Sequence, residues 1–183
     1  MKRIALLIAA VPTLLATTAA AEVIDSSHGG FATRNVAVVA ADRHAVWAEL
    51  VHPENWWSHT WSGDSANLRL DAEAGGCFCE TIPAADGFPA GSVEHMRMVT
   101  VMPGRVLRMA GSLGPLQAEG LTGTLTVTLE QAGEGRTRIT WDYITGGQAS
   151  FDPAAFATVV DGVQAEFLGG LVGRLGGPVD SPE

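Results

Sequence analysis

The longest amphipathic stretch of the chain, from Asp152 to Leu175, constrains the fold more than any other segment. Its large apolar side chains recur every three or four residues, which places them on one stripe of an α-helix. The stripe consists of Phe156, Val160, Val163, Phe167, Leu171 and Leu175. Asp152 suits the N-cap and Pro153 the first helical position, and the Gly-Gly-Pro run at 176–178 ends the helix. The predicted helix has about 22 residues and is about 33 Å long.

Upstream of this helix the chain is typical of short strands separated by turns. At 121–129 apolar residues alternate with four threonines, which indicates a half-buried antiparallel strand. The other predicted strands span 31–40, 67–71, 77–82, 92–101, 106–111 and 137–145. Two short helices are predicted after the first strand, from Asp42 to about Val51 and at 53–58. This order predicts an α+β domain with a curved antiparallel sheet of about seven strands under the long helix.

The first 21 residues have the composition of a secretory signal peptide. Lys2 and Arg3 precede an apolar run at 4–15, and three alanines at 19–21 form a small-residue cleavage site. A membrane anchor is the alternative, but the apolar run is too short to span a bilayer. We therefore expect an exported, periplasmic or secreted protein cleaved after Ala21. We also expect a flexible segment at 22–30, one domain at 31–177 and a tail at 178–183.

Net charge limits the classes of partner. Removal of Lys2 and Arg3 with the signal peptide leaves nine basic and 20 acidic residues in 162, a net charge of −11. That length suits a single domain with its own core. The negative charge argues against nucleic acid and, after signal cleavage, against a membrane surface as partners. It does not select a substrate, and the oligomeric state stays open.

Six segments occur in an order and spacing that resemble a known superfamily. They are residues 42–50, 52–57, 75–80, 101–107, 135–140 and the closing helix. Together they resemble the START-like or SRPBCC superfamily, the helix-grip fold, and most closely its branch of polyketide cyclase-like proteins and chaperone-ATPase-activator homologues. The resemblance covers about 31–175 and implies a cavity between the sheet and the final helix. This superfamily includes lipid carriers, hormone binders and cyclases, so the resemblance does not define an activity.

Tryptophans cluster near the predicted mouth of that cavity. Trp47 shares a helix face with Leu50 and is predicted to be core. The other tryptophans either wall a ligand pocket or fill the core with satisfied indole N–H groups. The candidate ligand contacts are Trp56, Trp57, His59, Trp61, Arg97, Trp141 and Tyr143. The loop at 111–115 is expected to form part of the cavity rim.

Cys77 and Cys79 lie two residues apart on a predicted strand. Their Cβ atoms would be about 6–7 Å apart in a regular strand, whereas a disulfide requires about 3.5–4.5 Å. The spacing therefore favours unbridged thiols. A strained disulfide, which a bulge would allow, and a metal site with His59 or His95 are the alternatives. We expect no metal, because the chain has no second Cys pair and no compact His spacing. We also expect no cofactor, and we find no phosphate loop, His-Glu metal motif or nucleophile elbow.

Three titratable residues are candidate catalytic groups: Glu94, His95 and Glu80. On a regular strand Glu94 shares a face with two methionines, while His95 and Arg97 occupy the other face. Both faces are mixed, so alternation does not decide which one lines the cavity. Glu80 shares the face of Phe78. An ordinary salt-bridged or solvated strand face is the alternative for all of these residues.

Three functional hypotheses follow. The first is an exported, non-enzymatic protein that binds a small hydrophobic or aromatic molecule in the cavity. The second is a cyclase or dehydratase in which Glu94 or Glu80 acts as acid or base with His95 or Arg97. It requires at least two of these groups to converge in one pocket. The third is a protein-interaction module of the chaperone-activator kind, which predicts an exposed apolar patch.

Overall fold

The computed structural model describes residues 20–27 and 29–180, so most of the predicted signal peptide lies outside the described residues. Eight antiparallel strands form one curved sheet in the order β1-β2-β8-β7-β6-β5-β4-β3. The strands are β1 (Ala20–Ser27), β2 (Gly30–Val39), β3 (Leu68–Leu70), β4 (Cys77–Ile82), β5 (Gly91–Met102), β6 (Val106–Ala110), β7 (Gly120–Gln131) and β8 (Thr137–Gln148). With a long C-terminal helix against the sheet, this is the predicted α+β helix-grip fold.

The helices begin where the sequence predicts. Helix α1 (Arg43–Leu50) is capped by Asp42, whose side chain accepts the N–H of Ala45. Helix α2 (Pro153–Arg174) has 22 residues, and the Asp152 side chain accepts the N–H of Ala154. Short 3-10 turns lie at Pro53–Asn55, Ser65–Asn67 and Gly114–Ala118. The second short helix predicted after the first strand is the first of these turns.

Strand β1 is the main difference from the expected architecture. The sequence predicts a flexible segment at 22–30, whereas the chain up to Ser27 pairs with β2 along the edge of the sheet. Most side chains of β1 are exposed, so the alternating apolar pattern that identifies a half-buried strand is absent. The expected tail also starts in contact with the sheet, since the N–H of Val179 donates to the Val38 carbonyl at 2.8 Å.

Two buried hydrogen bonds join α2 to the sheet. The Asn35 side chain donates to Asp161 Oδ1 at 3.0 Å, and Trp141 Nε1 donates to Gln164 Oε1 at 2.7 Å. Asn35 and Trp141 are direct partners across β2 and β8, and Asp161 and Gln164 are three residues apart on the helix. By length and hydropathy α2 could cross a membrane. Its buried face, however, packs mainly on β2 and β1, as a core helix does.

Strand β5 contains two irregularities that increase its curvature. The register with β4 shifts so that Phe78 pairs with Met96 and Cys79 with Glu94, which leaves His95 as an extra residue on β5. A second shift, in the pairing with β6, lies next to Val99. Bulges of this kind bend a strand and redirect its side chains. The two bulges therefore increase the bending of the sheet at β5.

The aromatic core requires α2 to approach the segment after α1 closely. Trp56 packs edge-on against Trp57 and Trp141, with ring centroids 5.7 and 5.8 Å away. A Cβ atom on Gly170 of α2 would lie 2.3 Å from the Trp56 carbonyl oxygen, whereas one on Gly169 would meet no heavy atom within 4 Å. The absence of a side chain at position 170 therefore allows this packing.

We predict opposite effects for alanine at these two neighbouring glycines. Gly170→Ala should lower the free energy of unfolding by about 1–3 kcal/mol, because helix and loop must separate. Gly169→Ala, the matched control, should raise it by about 0.5–1 kcal/mol, because alanine is the better helix former. Urea unfolding of both variants measures the difference. Two shifts of the same sign would contradict the proposed close contact.

Candidate functional site

A cavity of about 560 Å³ lies between the N-terminal half of α2 and the concave face of the sheet. Residues 57–61, called here the mouth loop, border the cavity on one side. The segment 113–116 borders it on another side. The stripe predicted on α2 faces this space through Phe156, Val160, Val163 and Phe167. The helix therefore does not seal the sheet beneath it.

Aromatic rings form one wall of the cavity. Trp57 stacks on Phe167 of α2, with ring centroids 3.3 Å apart and planes 14° from parallel. The Trp57 indole donates to the His59 carbonyl at 2.8 Å, so its polar edge is satisfied within the mouth loop. Trp61 stands at the entrance and is 55% exposed. A large exposed indole beside an opening gives an incoming molecule an apolar surface.

Glu80 is a fully buried carboxylate behind the cavity wall. Its oxygens accept the backbone N–H groups of Trp61 at 3.0 Å and Ser62 at 2.5 Å, and His95 Nε2 lies 2.9 Å away. Burial acts to raise the pKa of Glu80, but the hydrogen bonds from Ser62, Trp61 and His95 outweigh it and lower the pKa below the ordinary value of 4.5. Glu80 is therefore ionised at neutral pH, and it ties the mouth loop to β4.

His95 reaches the cavity because it is the extra residue of the β5 bulge. His95 and Met96 are consecutive in sequence, yet both are buried on the concave side. Burial lowers the pKa of His95 below 6.5, although the hydrogen bond to Glu80 and its charge act in the opposite direction. The imidazole is therefore neutral at pH 7. Since a carboxylate only accepts, Nε2 carries the proton and Nδ1 is an acceptor.

Besides His95, the sheet and α2 each contribute one polar side chain to the cavity lining. Gln164 lines the cavity, and because an indole N–H can only donate, its oxygen faces Trp141 and its amide N–H₂ group remains as a donor. Burial raises the pKa of Tyr143 to about 12, so its phenol stays protonated. A Cβ on Gly123 would lie 2.6 Å from the Tyr143 hydroxyl, so only glycine leaves room for the phenol.

The structure separates the predicted site residues into two groups. Trp57, His59, Trp61, His95 and Tyr143 line the cavity, and Glu80 supports His95 from behind. The other four predicted residues lie elsewhere: Glu94, Arg97, Trp56 and Trp141. The remaining lining residues near the entrance include Leu113, Gly114 and Pro115, in agreement with the rim predicted at 111–115.

Glu94 and Arg97 are the clearest corrections. Both are exposed and pair with each other, Arg97 Nη2 lying 2.5 Å from Glu94 Oε2. Regular alternation would place Glu94 beside the methionines and Arg97 beside His95. The bulge breaks that alternation, so His95, Met96 and Met98 turn inward while Glu94 and Arg97 turn outward.

Trp56 and Trp141 are core residues and do not line the cavity. Each has a satisfied indole N–H, Trp56 to the Glu49 carbonyl at 2.9 Å and Trp141 to Gln164. Trp141 is completely buried. Both indoles therefore fill the core with satisfied N–H groups, which was the alternative to walling a ligand pocket.

Cys77 and Cys79, both on β4, form a disulfide. The prediction of unbridged thiols is wrong, because it assumed a regular strand. The two Cα atoms are 5.4 Å apart, within the usual range for a bridge, and the register shift of β4 against β5 lies between Phe78 and Cys79. Glu94 lies near both sulfurs, but sulfurs bonded to each other are not thiolate ligands.

Gln164 is the site residue that sequence reasoning missed. A glutamine within an apolar helical stripe is a detectable signal, because a buried amide needs a partner. Its spacing of three residues from Asp161 is a second signal. The partner itself, Trp141, was not deducible because it lies 23 positions away on β8.

Comparison with known proteins shows the fold class. No family model and no curated protein matches the chain. A solved structure from Rhodobacter sphaeroides is 15% identical to this chain, with a TM-score of 0.53. The match covers 86% of this chain and 98% of the Rhodobacter chain. A second solved structure, from Rhizobium leguminosarum, is 16% identical with a TM-score of 0.52. The match covers 85% of this chain and 95% of the Rhizobium chain.

A third solved structure is DynU16, a protein of the dynemicin biosynthetic locus. It is 18% identical with a TM-score of 0.51, over 79% of this chain and 48% of DynU16. The chain thus spans about half the length of DynU16. At these identities the three matches establish the architecture, an antiparallel sheet with a C-terminal helix, and the functional argument rests on the cavity.

The buried pair of Glu80 and His95 predicts a specific dependence of stability on pH. Folding lowers the pKa of His95 below its ordinary value of 6.5, so the unfolded chain binds a proton more readily than the folded one. The contribution of the neutral imidazole to stability is therefore complete above pH 6.5 and is lost as the pH falls. Relative to His95→Gln, which keeps a donor for Glu80 but does not titrate, wild type should lose stability between pH 7 and pH 5. The loss is at most about 1.4 kcal/mol per pH unit. Urea unfolding of both proteins across this range measures it. A constant difference would contradict a lowered pKa.

Proposed function

We propose that this chain is an exported SRPBCC-type domain that binds a small hydrophobic or aromatic molecule in the cavity beneath α2. The observation that carries the proposal is the cavity itself, about 560 Å³ in volume and lined mainly by aromatic and aliphatic side chains. That size is typical of small-molecule sites, in which a few polar groups orient a mostly apolar ligand. DynU16 belongs to a biosynthetic locus, which agrees with a role in handling an organic molecule.

A second candidate is an enzyme of the cyclase or dehydratase type. The observation that favours it is the pair formed by Glu80 and His95, two of the three candidate acid–base residues, at one wall of the cavity. A neutral histidine held by a buried carboxylate is an arrangement suited to general base catalysis. Binding is the primary proposal, because it requires only the cavity, whereas turnover also requires a reacting group beside His95.

A protein-interaction module is the weakest of the three candidates. It predicts an exposed apolar patch, whereas the cavity is concave and two of the exposed large hydrophobic residues, Trp61 and Val159, border it. Apolar residues at an opening contribute to the entry of a small ligand. This placement supports the binding proposal.

The binding proposal predicts that filling the cavity weakens binding. Val163→Trp adds a bicyclic side chain from the helix into the space, so affinity for the fluorescent probe N-phenyl-1-naphthylamine should fall by at least about tenfold, or about 1.4 kcal/mol. Val99→Trp, the matched control, changes an exposed valine of β5 outside the cavity and should bind as wild type does. Mass spectrometry of extracts from the native protein should also detect a small apolar molecule. Equal binding by the two variants would contradict the proposed location.

Export predicts a defined mature N-terminus. Cleavage after Ala21 would leave Glu22 as the first residue and retain most of β1 for pairing with β2. The intact mass of the protein from an expressing bacterium should therefore match residues 22–183, in the periplasmic or secreted fraction. An uncleaved chain in the cytosolic fraction would rule out export.

A further inference from the structure

We propose that the cavity selects a neutral aromatic or conjugated molecule with an acidic hydroxyl group, a phenol or an enol, which donates its proton to Nδ1 of His95. This inference rests on the proposed binding function and names the chemical class of the ligand. It assigns His95 as the specificity-determining residue and Glu80 as a positioning residue that acts through it.

The first step of the argument is the orientation of the imidazole. Three N–H groups converge on the Glu80 carboxylate, from Trp61, Ser62 and His95. This arrangement holds the proton of His95 on Nε2, so Nδ1 presents a lone pair. The hydrogen bond of His95 runs through Nε2 to Glu80, and within the described part of the chain Nδ1 has no hydrogen-bond partner. Because His95 lines the cavity, a ligand donor there would satisfy it.

The second step concerns charge. The cavity lining contains no Asp, Glu, Lys or Arg among the described residues, and its titratable side chains are His59, His95 and Tyr143. Glu80 lies behind His95, and Glu166 of α2 pairs with His59 at 2.8 Å on the exposed rim. A carboxylate or phosphate ligand would enter this space without a cationic partner, at a high desolvation cost. The site therefore favours a neutral ligand.

The third step identifies an acceptor on the ligand. The amide N–H₂ of Gln164 and the hydroxyl of Tyr143 are donors in the same cavity. The Tyr143 oxygen already accepts the Leu113 N–H, at 3.4 Å, which leaves its own proton to donate. A ligand that offers only donors would leave these groups unpaired. An oxygen that gives a proton to His95 and accepts hydrogen bonds, as in a phenol or an enol, satisfies both requirements.

Proton transfer within this arrangement is balanced. The O–H bond of the ligand breaks, its proton forms a new bond to Nδ1, and the oxygen keeps the electron pair. The resulting imidazolium has N–H groups on both nitrogens and stays hydrogen-bonded to the Glu80 carboxylate through Nε2. Its positive charge lies between that carboxylate and the ligand oxyanion, so each negative charge has a neighbouring partner. The aromatic wall of Trp57 and Phe167 provides a surface for the ring of the ligand.

The test compares 4-nitrophenol with 4-nitroanisole, its methyl ether, which lacks the acidic proton. Wild type should bind the phenol at least about tenfold more tightly. At a pH below the solution pKa of the phenol, the bound probe should show the visible absorption band of the phenolate. His95→Gln should reduce the preference for the phenol over its methyl ether to less than about twofold and remove the phenolate band. His52→Gln, which changes an exposed histidine paired with Glu54, should behave as wild type.

The outcomes separate this inference from the binding proposal. If wild type binds both probes equally, the hydroxyl selectivity is wrong and the binding cavity stands. If the preference and the phenolate band persist in His95→Gln, the proton acceptor is not His95 and the inference is overturned. If neither probe binds, both proposals are contradicted. If the variant does not fold, the absence of a phenolate band in wild type still overturns the inference.

Discussion

One extra residue in β5 determines the character of the cavity. In a regular strand His95 would face away from Met96 and Met98, Glu94 would lie beside the methionines, and both faces of β5 would be mixed. The bulge turns His95 to the same side as the methionines. A titratable ring thus enters a space that is lined mainly by apolar side chains. The remaining features of the candidate site follow from how the fold accommodates that ring.

A buried imidazole beside a buried carboxylate is costly unless both are hydrogen-bonded. Glu80 is satisfied by two backbone N–H groups of Trp61 and Ser62 and by His95. The same contacts that stabilise the carboxylate therefore fix the end of the mouth loop and place Trp61 at the entrance. The polar pair and the shape of the opening are consequently one structural unit, and a change in either is expected to affect the other.

The secondary structure was largely predictable because local rules govern it. The periodicity of 152–175, with Asp152 and Pro153 at its start, predicted α2 almost to the residue. The threonine alternation at 121–129 lies within β7. Strand β1 was missed because an exposed edge strand has no apolar period, and its pairing depends on the β2 backbone. The disulfide was missed because the distance between Cys77 and Cys79 was estimated for a regular strand.

The sequence by itself determined the fold class, the long helix, the aromatic mouth and the candidate residues Glu80 and His95, because period, caps and turns are local properties of the chain. Only the tertiary structure decided that these two residues meet, that Glu94 and Arg97 lie outside, and that Gln164 lines the cavity. The physical reason is that a strand register shift and a hydrogen bond between distant elements depend on how strands pair in space. No local pattern of residue types determines that pairing.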